Sequence, residues 1–351
     1  MKSRPLAILS TSKYACLALI MLALTNSPVL AWGSVGHKMI NEIAARSLPA
    51  TLPAFLHTPD AIAELTALGP EPDRSKGSGR SWDADYDPGH FLDVDDNGMI
   101  VPSMPLNALP PSRQAFDTAL RASDSNQYKT GFLPYSILDG YEQVRRDFAY
   151  WRVDNYLTAH AKSPSDRLLF ARDRALWQML ALRDIGVWGH FVGDASQPLH
   201  VTVHFNGWGN YPNPNGYSTS HEVHSQFESA FVNAHAKAAA VTAVLPAMHI
   251  HTSAELLAQP ELLKQISTYL QASASTVPRL YDIEKAGGFA QGTPQAVSFV
   301  DARLAFGASE LRNLTVQAWF DSTSDTVAYP EIKVEDILDG KVTPTARAFG
   351  D

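Results

Sequence analysis

Cysteine is nearly missing from this sequence: 351 residues contain one, Cys16. A disulfide framework is therefore excluded, and the chain must hold itself together by burial alone. Positive charge is also short, with Lys+Arg 28 against Asp+Glu 36 and a net charge of -8. A broad basic surface that wraps a polyanion is incompatible with that balance, so any anionic ligand must be drawn by a local site. Long apolar runs are absent apart from Tyr14 to Leu24, which falls short of the roughly 20 residues a membrane span requires. Alternating strand patterns flanked by hairpin turns are scarce. Hydrophobic residues at 45%, aromatic at 10% and charged at 18% exclude a disordered, collagenous or coiled-coil chain.

The apolar run has a specific setting. Lys2, Arg4 and Lys13 precede it, and Asn26-Ser27-Pro28-Val29-Leu30-Ala31 follows. A basic start, a short apolar segment and a small residue at the end form a secretory leader over residues 1–31, cleaved after Ala31. The processed chain would begin at Trp32, be secreted or periplasmic without integral membrane association, and carry no thiol. Losing three cations takes its charge from -8 to -11.

Helical spacing of apolar residues dominates what remains. It predicts helices over His37 to Leu48, Ser112 to Ala122, Ile137 to His160, Arg167 to Val192, Ser218 to Ala240, Pro260 to Leu270 and Pro294 to Trp319. The expected fold is all-α, one multi-helix domain over 32–330 followed by a tail over 331–351 whose weak periodicity suits an extended segment. Gly69 to Gly89, Asp95 to Pro111 and Asn206 to Tyr217 read as loops from their Gly, Pro, Asn and Ser content. Loops of this kind often border sites.

The chemistry-bearing residues lie beside these loops. His190 and Asp194 sit four apart on a predicted helix, which sets imidazole and carboxylate one turn apart on one face. His200 follows after Pro198, and His224 with Glu228 repeats the i,i+4 pair. Any one pair is more often a surface ion pair than a ligand set; two pairs flanking a third histidine favour a metal. Imidazole mixed with carboxylate suits zinc better than the all-oxygen sets of calcium or magnesium. His37 in Trp32-Gly33-Ser34-Val35-Gly36-His37, Asp73 in Pro72-Asp73-Arg74-Ser75-Lys76, and His90 in Gly89-His90-Phe91-Leu92-Asp93 extend the constellation. A liberated α-amino group at Trp32 would add a nitrogen ligand.

Together these segments resemble, in order along most of the processed chain, the superfamily that joins the fungal-type single-strand-specific zinc nucleases with bacterial zinc-dependent phospholipase C. The carrying motifs are Trp-Gly-x-x-Gly-His at Trp32, Asp73, His-Phe-Leu-Asp at His90, His-Phe-Val-Gly-Asp at His190, Gln-Pro-Leu-His at His200 and His-x-x-x-Glu at His224. The resemblance implies a mostly helical fold with long loops around a trinuclear zinc cleft. Asp73, His90, His190 and Asp194 would hold one zinc; His200, His224 and Glu228 a second. The α-amino nitrogen and carbonyl oxygen of Trp32 would hold the third with His37 and the bridging Asp194.

The implied activity is phosphodiester hydrolysis by a zinc-activated hydroxide, with Asp73 orienting the nucleophile and Lys76 stabilising phosphoryl charge. Arg74 competes with Lys76 for that role. Phe91 and Asp93 stand where the nuclease branch binds a base by stacking and by accepting from base nitrogens, so a nuclease for single-stranded DNA or RNA, with 3′-nucleotidase activity, is expected. Glu228 matches the phospholipase branch instead, and Trp208, Tyr211 and Tyr217 offer an aromatic rim for a choline group. A secreted metal-binding protein without turnover is the third reading. Asp83 or Asp85 competes with Asp73, because the separation from His90 is longer than the family pattern. His204 competes with His200, and His221 with Glu222 allows a shifted register. His57, His160, His235, His249 and His251 read as ordinary surface or core histidines.

Overall fold

Several helices begin where a hydroxyl meets a proline. Thr58, Ser163 and Thr293 each accept a hydrogen bond from the backbone N–H three residues on, and Pro59, Pro164 and Pro294 follow them. The side chain satisfies an orphan donor while the ring presets the first helical φ. These signals open α2 (Pro59–Leu68), α7 (Pro164–Ser196) and the long α14 (Pro294–Asp321). The computed structural model describes residues 32–249 and 259–350; the expected leader with Cys16, and His251, lie outside them.

Among the described residues the protein is mostly helical, with two antiparallel ribbons of two-residue strands, β1 (Met99–Ile100) with β2 (Met104–Pro105) and β3 (Thr326–Val327) with β4 (Ile332–Lys333). Its centre is a hairpin of the 28-residue α6 (Leu133–His160) and the 33-residue α7, which pack along each other. α14 lies across both, and α1 (Gly33–Arg46) packs against α14, α2 and α7. Ile40, Leu65, Tyr141 and Leu304 are fully enclosed at these junctions. Truncating such a residue to Ala would cost about 2–5 kcal/mol. No described helix is long and apolar enough to cross a membrane.

Three expectations are corrected. Ser218 to Ala240 is not one helix: residues 218–222 are turn and coil, α8 (Val223–Ser225) runs into a π-helical turn (Gln226–Phe231), then α9 (Val232–His235). Lys237 adopts an extended backbone before α10 (Ala238–Ala243), which breaks the rod despite its helix-favouring alanines. Gly69 to Gly89 contains a helical turn at Pro72–Arg74, α3 (Ser81–Tyr86) and another turn at Asp87–His90, too short to leave a periodic signature. The tail is packed and partly helical rather than extended. Val334, Ile337 and Ala346 are buried with Val153, Leu157 and Phe170 in a second apolar cluster against α6 and α7. α4 (Arg113–Arg121), α5 (Gln127–Thr130), α11 (Gln259–Ala274), α12 (Val277–Lys285), α13 (Gly288–Gln291) and α15 (Val334–Leu338) complete the set.

Candidate metal centre

The C-terminal turn of α7 carries His190 and Asp194, both fully buried. A helix end leaves carbonyls without partners, and burying them unpaired is costly. Here side chains from three other segments take them. Tyr269 Oη donates to Val192 O at 2.8 Å, Trp32 Nε1 to Gly193 O at 2.9 Å, Ser273 Oγ to Ala195 O at 2.5 Å and Arg303 Nε to Ser196 O at 2.9 Å. Gly189 and Gly193 admit α1: a Cβ at 189 would stand 2.2 Å from Asn41 Oδ1, and one at 193 would stand 3.1 Å from His37 Nδ1. The turn is thereby fixed, and His37 is drawn into stacking contact with His190, ring centroids 3.8 Å apart.

Asp194 faces two ways. Its Oδ1 lies 3.4 Å from His37 Nε2 and its Oδ2 lies 3.4 Å from His190 Nε2. Asp73 Oδ1 closes a second group, 3.8 Å from His90 Nε2 and 3.6 Å from His190 Nε2. In a third, Glu228 Oε2 lies 2.7 Å from His224 Nε2 and 3.7 Å from His200 Nε2. Among the described residues three triads of potential ligands result: His37, His190 and Asp194; Asp73, His90 and His190; His200, His224 and Glu228. They could hold metal ions. His190 and Asp194 fall in the same compact group as His37, a closer mingling of the first and third ligand sets than the resemblance implies.

Backbone carbonyls set the tautomers. Nδ1 of His90 lies 2.9 Å from Asp87 O, Nδ1 of His190 lies 2.9 Å from Gly69 O, and Nδ1 of His200 lies 2.6 Å from His90 O. A carbonyl only accepts, so each Nδ1 carries the proton, and in the neutral ring Nε2 offers its lone pair. Those three Nε2 atoms, both His37 nitrogens, both Asp194 oxygens and Glu228 Oε1 are buried without a hydrogen bond. So many unpartnered polar atoms gathered in one place, most of them acceptors, have a ready physical cause in cation binding. Burial lowers His37, His90 and His190 well below the ordinary histidine value, lowers His200, and takes His224 down to about 3. The imidazoles are thus in their ligating form at neutral pH. Burial with the neighbouring Asp73 carboxylate raises Asp194 well above the carboxylate range, and burial takes Glu228 to about 7.

The local fold decides between rival residues. Asp83 accepts from Ser78 N at 2.8 Å and Asp85 is exposed, so Asp73 is the carboxylate at the cluster. His221 and Glu222 are exposed, whereas His224 is buried. His204 turns away, with Nδ1 2.9 Å from Trp208 O and Nε2 3.0 Å from Asp96 Oδ1. Lys76 Nζ reaches Asp73 Oδ1 at 3.5 Å, while Arg74 is exposed. Phe91 and Asp93 are half-buried beside Leu92 and Val94, which point into the core. Leu92 N donates to His200 O at 2.9 Å, which ties their segment to the cluster. Burial raises Asp93 to about 7.

One expectation needs revision. Trp208 and Tyr217 do not form a rim: they are buried, with Trp208 Nε1 donating to Pro212 O at 2.9 Å and Tyr217 Oη bonded to Asp282 at 3.0 Å. Only Tyr211 of that trio is exposed. Trp32 is fully buried, and its indole also reaches Ser196 Oγ at 2.9 Å. Its φ of 22° is one a bulky residue adopts only under constraint. Its carbonyl accepts from Gly36 N at 3.1 Å.

Gln197 is a contributor that spacing did not single out. Fully buried, its Nε2 lies 3.0 Å from His224 Nε2 and 3.2 Å from Glu228 Oε2. The only sequence signal was its place in Gln-Pro-Leu-His. No family model, curated protein or solved structure matches the chain.

Proposed function

We propose that the chain is a zinc-dependent phosphodiester hydrolase acting on single-stranded nucleic acid, of the same type as the single-strand-specific zinc nucleases and exported by its leader. The observation that supports this most is the two-sided carboxylate of Asp194 set among buried imidazoles with free Nε2 atoms. The donor set of nitrogen and carboxylate oxygen fits zinc. Asp73, His90, His190 and Asp194 would hold one ion, His200, His224 and Glu228 another, and His37, Asp194 and the freed terminus of Trp32 the third. When bound, zinc supplies Lewis acidity that polarises a phosphoryl oxygen and makes water an adequate nucleophile near neutral pH.

The chain's own groups divide the remaining work. Asp73 accepts a proton or hydrogen bond from the attacking water at the edge of the cluster. Lys76, held at 3.5 Å from Asp73, presents an ammonium to the charge that develops on phosphoryl oxygens. Phe91 stacks on an unpaired base, and Asp93 accepts from its ring or exocyclic nitrogen. A duplex hides that face and edge, which accounts for a single-strand preference in an acidic protein.

Incubating zinc-loaded protein with single-stranded DNA, RNA and 3′-AMP tests the reading, with a chelator control. Hydrolysis that the chelator abolishes is expected. Release of diacylglycerol from phosphatidylcholine vesicles with nucleic acid left intact would establish the phospholipase C alternative, which Glu228 favours. Fewer than two zincs per chain, with no turnover of either substrate, would leave a metal-binding protein.

A further inference from the structure

A cleft of about 290 Å³ lies one aromatic layer from the metal centre. Tyr86 and Phe191 form the shared wall: their rings stand 5.8 and 5.1 Å from that of His90. Phe132 and Trp188 add flat apolar surface, and Trp82, 55% exposed, stacks on Tyr86 at 5.2 Å and carries that surface out to solvent. Gly140 is required here, since a Cβ would stand 2.1 Å from Trp188 Cδ1 and clash with the indole.

The polar groups of the cleft are of both kinds. The Arg113 guanidinium is held 3.8 Å above the Phe132 ring, and its Nε donates to Gln127 Oε1 at 2.6 Å. Among the described residues its terminal nitrogens make no hydrogen bond or ion pair within 4 Å, although its charge acts on the carboxylates of Asp139 and Asp117, and the carboxylates of Asp85 and Asp139 likewise lack a hydrogen-bond partner. A donor fork and two acceptors thus face one aromatic-walled space.

A cavity of about 150 Å³ accepts a benzene ring, so this one accommodates a fused bicycle. Guanidinium forks pair with adjacent acceptors such as O6 and N7 of guanine, and carboxylates accept from ring and exocyclic N–H groups. Guanine carries both sets. Uracil lacks the amino group, and a choline cation offers Arg113 nothing and would sit beside its charge. Resting on the nuclease reading, we propose that this cleft is a guanine-binding subsite that seats a base neighbouring the scissile phosphodiester, with Arg113 and Asp139 as its specificity-determining residues.

Isothermal titration of the zinc-loaded protein with guanosine, uridine and choline tests the subsite without requiring turnover. Saturable guanosine binding is expected, about tenfold tighter than uridine. Arg113→Gln and the milder Asp139→Asn should each raise the guanosine Kd by about tenfold. Both should also raise KM on guanine-containing oligonucleotides by a larger factor than KM on oligothymidylate, so that the preference between the two substrates is lost. Equal binding of guanosine and uridine, preferential binding of choline, or an unaltered Kd in a folded Asp139→Asn protein would overturn the proposal. Intact nucleic-acid hydrolysis alongside any of those results would fault the subsite alone. Guanosine binding without hydrolysis of any phosphodiester would fault its place in a nuclease.

Discussion

Asp93 is half-buried, and removal from water alone raises its carboxyl to about 7. If its task is to accept from a base N–H, only the ionised form serves. Between pH 6 and 8 the ionised fraction climbs from roughly one tenth to nine tenths. KM on single-stranded substrate should therefore fall by roughly tenfold across that range, and Asp93→Asn should flatten the step. The stability consequence has the opposite sign. The folded state holds a proton that the unfolded chain has released, so Asp93's contribution to stability is present below the unfolded value and lost as pH rises toward 7. Asp93→Asn should thus melt above the wild type at pH 8 and level with it at pH 4; a melting point unchanged at pH 8 would show that burial does not penalise the charge. Asp194 makes a sharper case, since each of its oxygens faces a different imidazole. Asp194→Ala should remove two of three zincs by elemental analysis and lower kcat/KM by about 100-fold or more. Loss of only one zinc would show that it does not bridge.

The same residues depend on the element that carries them. Arg303 is a buried cation with no carboxylate partner among the described residues; burial takes it down to about 10. Its Nε caps Ser196 O, and its Nη2 reaches Ser273 Oγ at 2.9 Å, so it answers both the orphan carbonyl and the negative end of α7. Arg303→Met should destabilise the protein by about 2 kcal/mol in a denaturant titration, because a charged hydrogen bond to a buried carbonyl is lost. A variant more stable than the wild type would mean that the cost of burying the guanidinium dominates. The i,i+4 placement of His190 with Asp194 was legible because α7 is long and its period is regular. Arg303 was not, since nothing in a single helical pattern announces which distant carbonyl a side chain will cap. The π-helical turn over Gln226–Phe231 was hidden for a related reason: one extra residue in a turn leaves apolar spacing almost unchanged. It nevertheless carries Glu228 in its first turn, 2.7 Å from His224. The aromatic loop was misread because composition marks a turn without telling whether its rings face water or core.

At the scale of the molecule, the cluster joins four parts far apart in sequence: α1 with His37, the segment holding Asp73 and His90, the end of α7, and the stretch from His200 to Glu228. That convergence could be guessed from motif order, whereas the guanine-sized cleft could not, since Arg113, Asp139 and Phe191 share no spacing. Trp32 tests the N-terminal part. Its φ of 22° places a strained residue where cleavage would leave no preceding carbonyl. One extra residue ahead of Trp32 should cut the zinc content from three to two and abolish activity, and full activity would show that the terminus is not a ligand. Chelation tests all four parts together. Without cations the site confronts buried carboxylates with one another and leaves Nε2 atoms unpaired. A ligand at 100-fold excess over its Kd stabilises the fold by about 2.7 kcal/mol per site. For a domain of this size that is about 4 °C in melting temperature per site. Calorimetry of zinc-loaded and chelated protein should therefore separate by at least that amount, with helical circular dichroism retained in both below the transition. Identical melting curves would mean that the convergence of these histidines holds no ion.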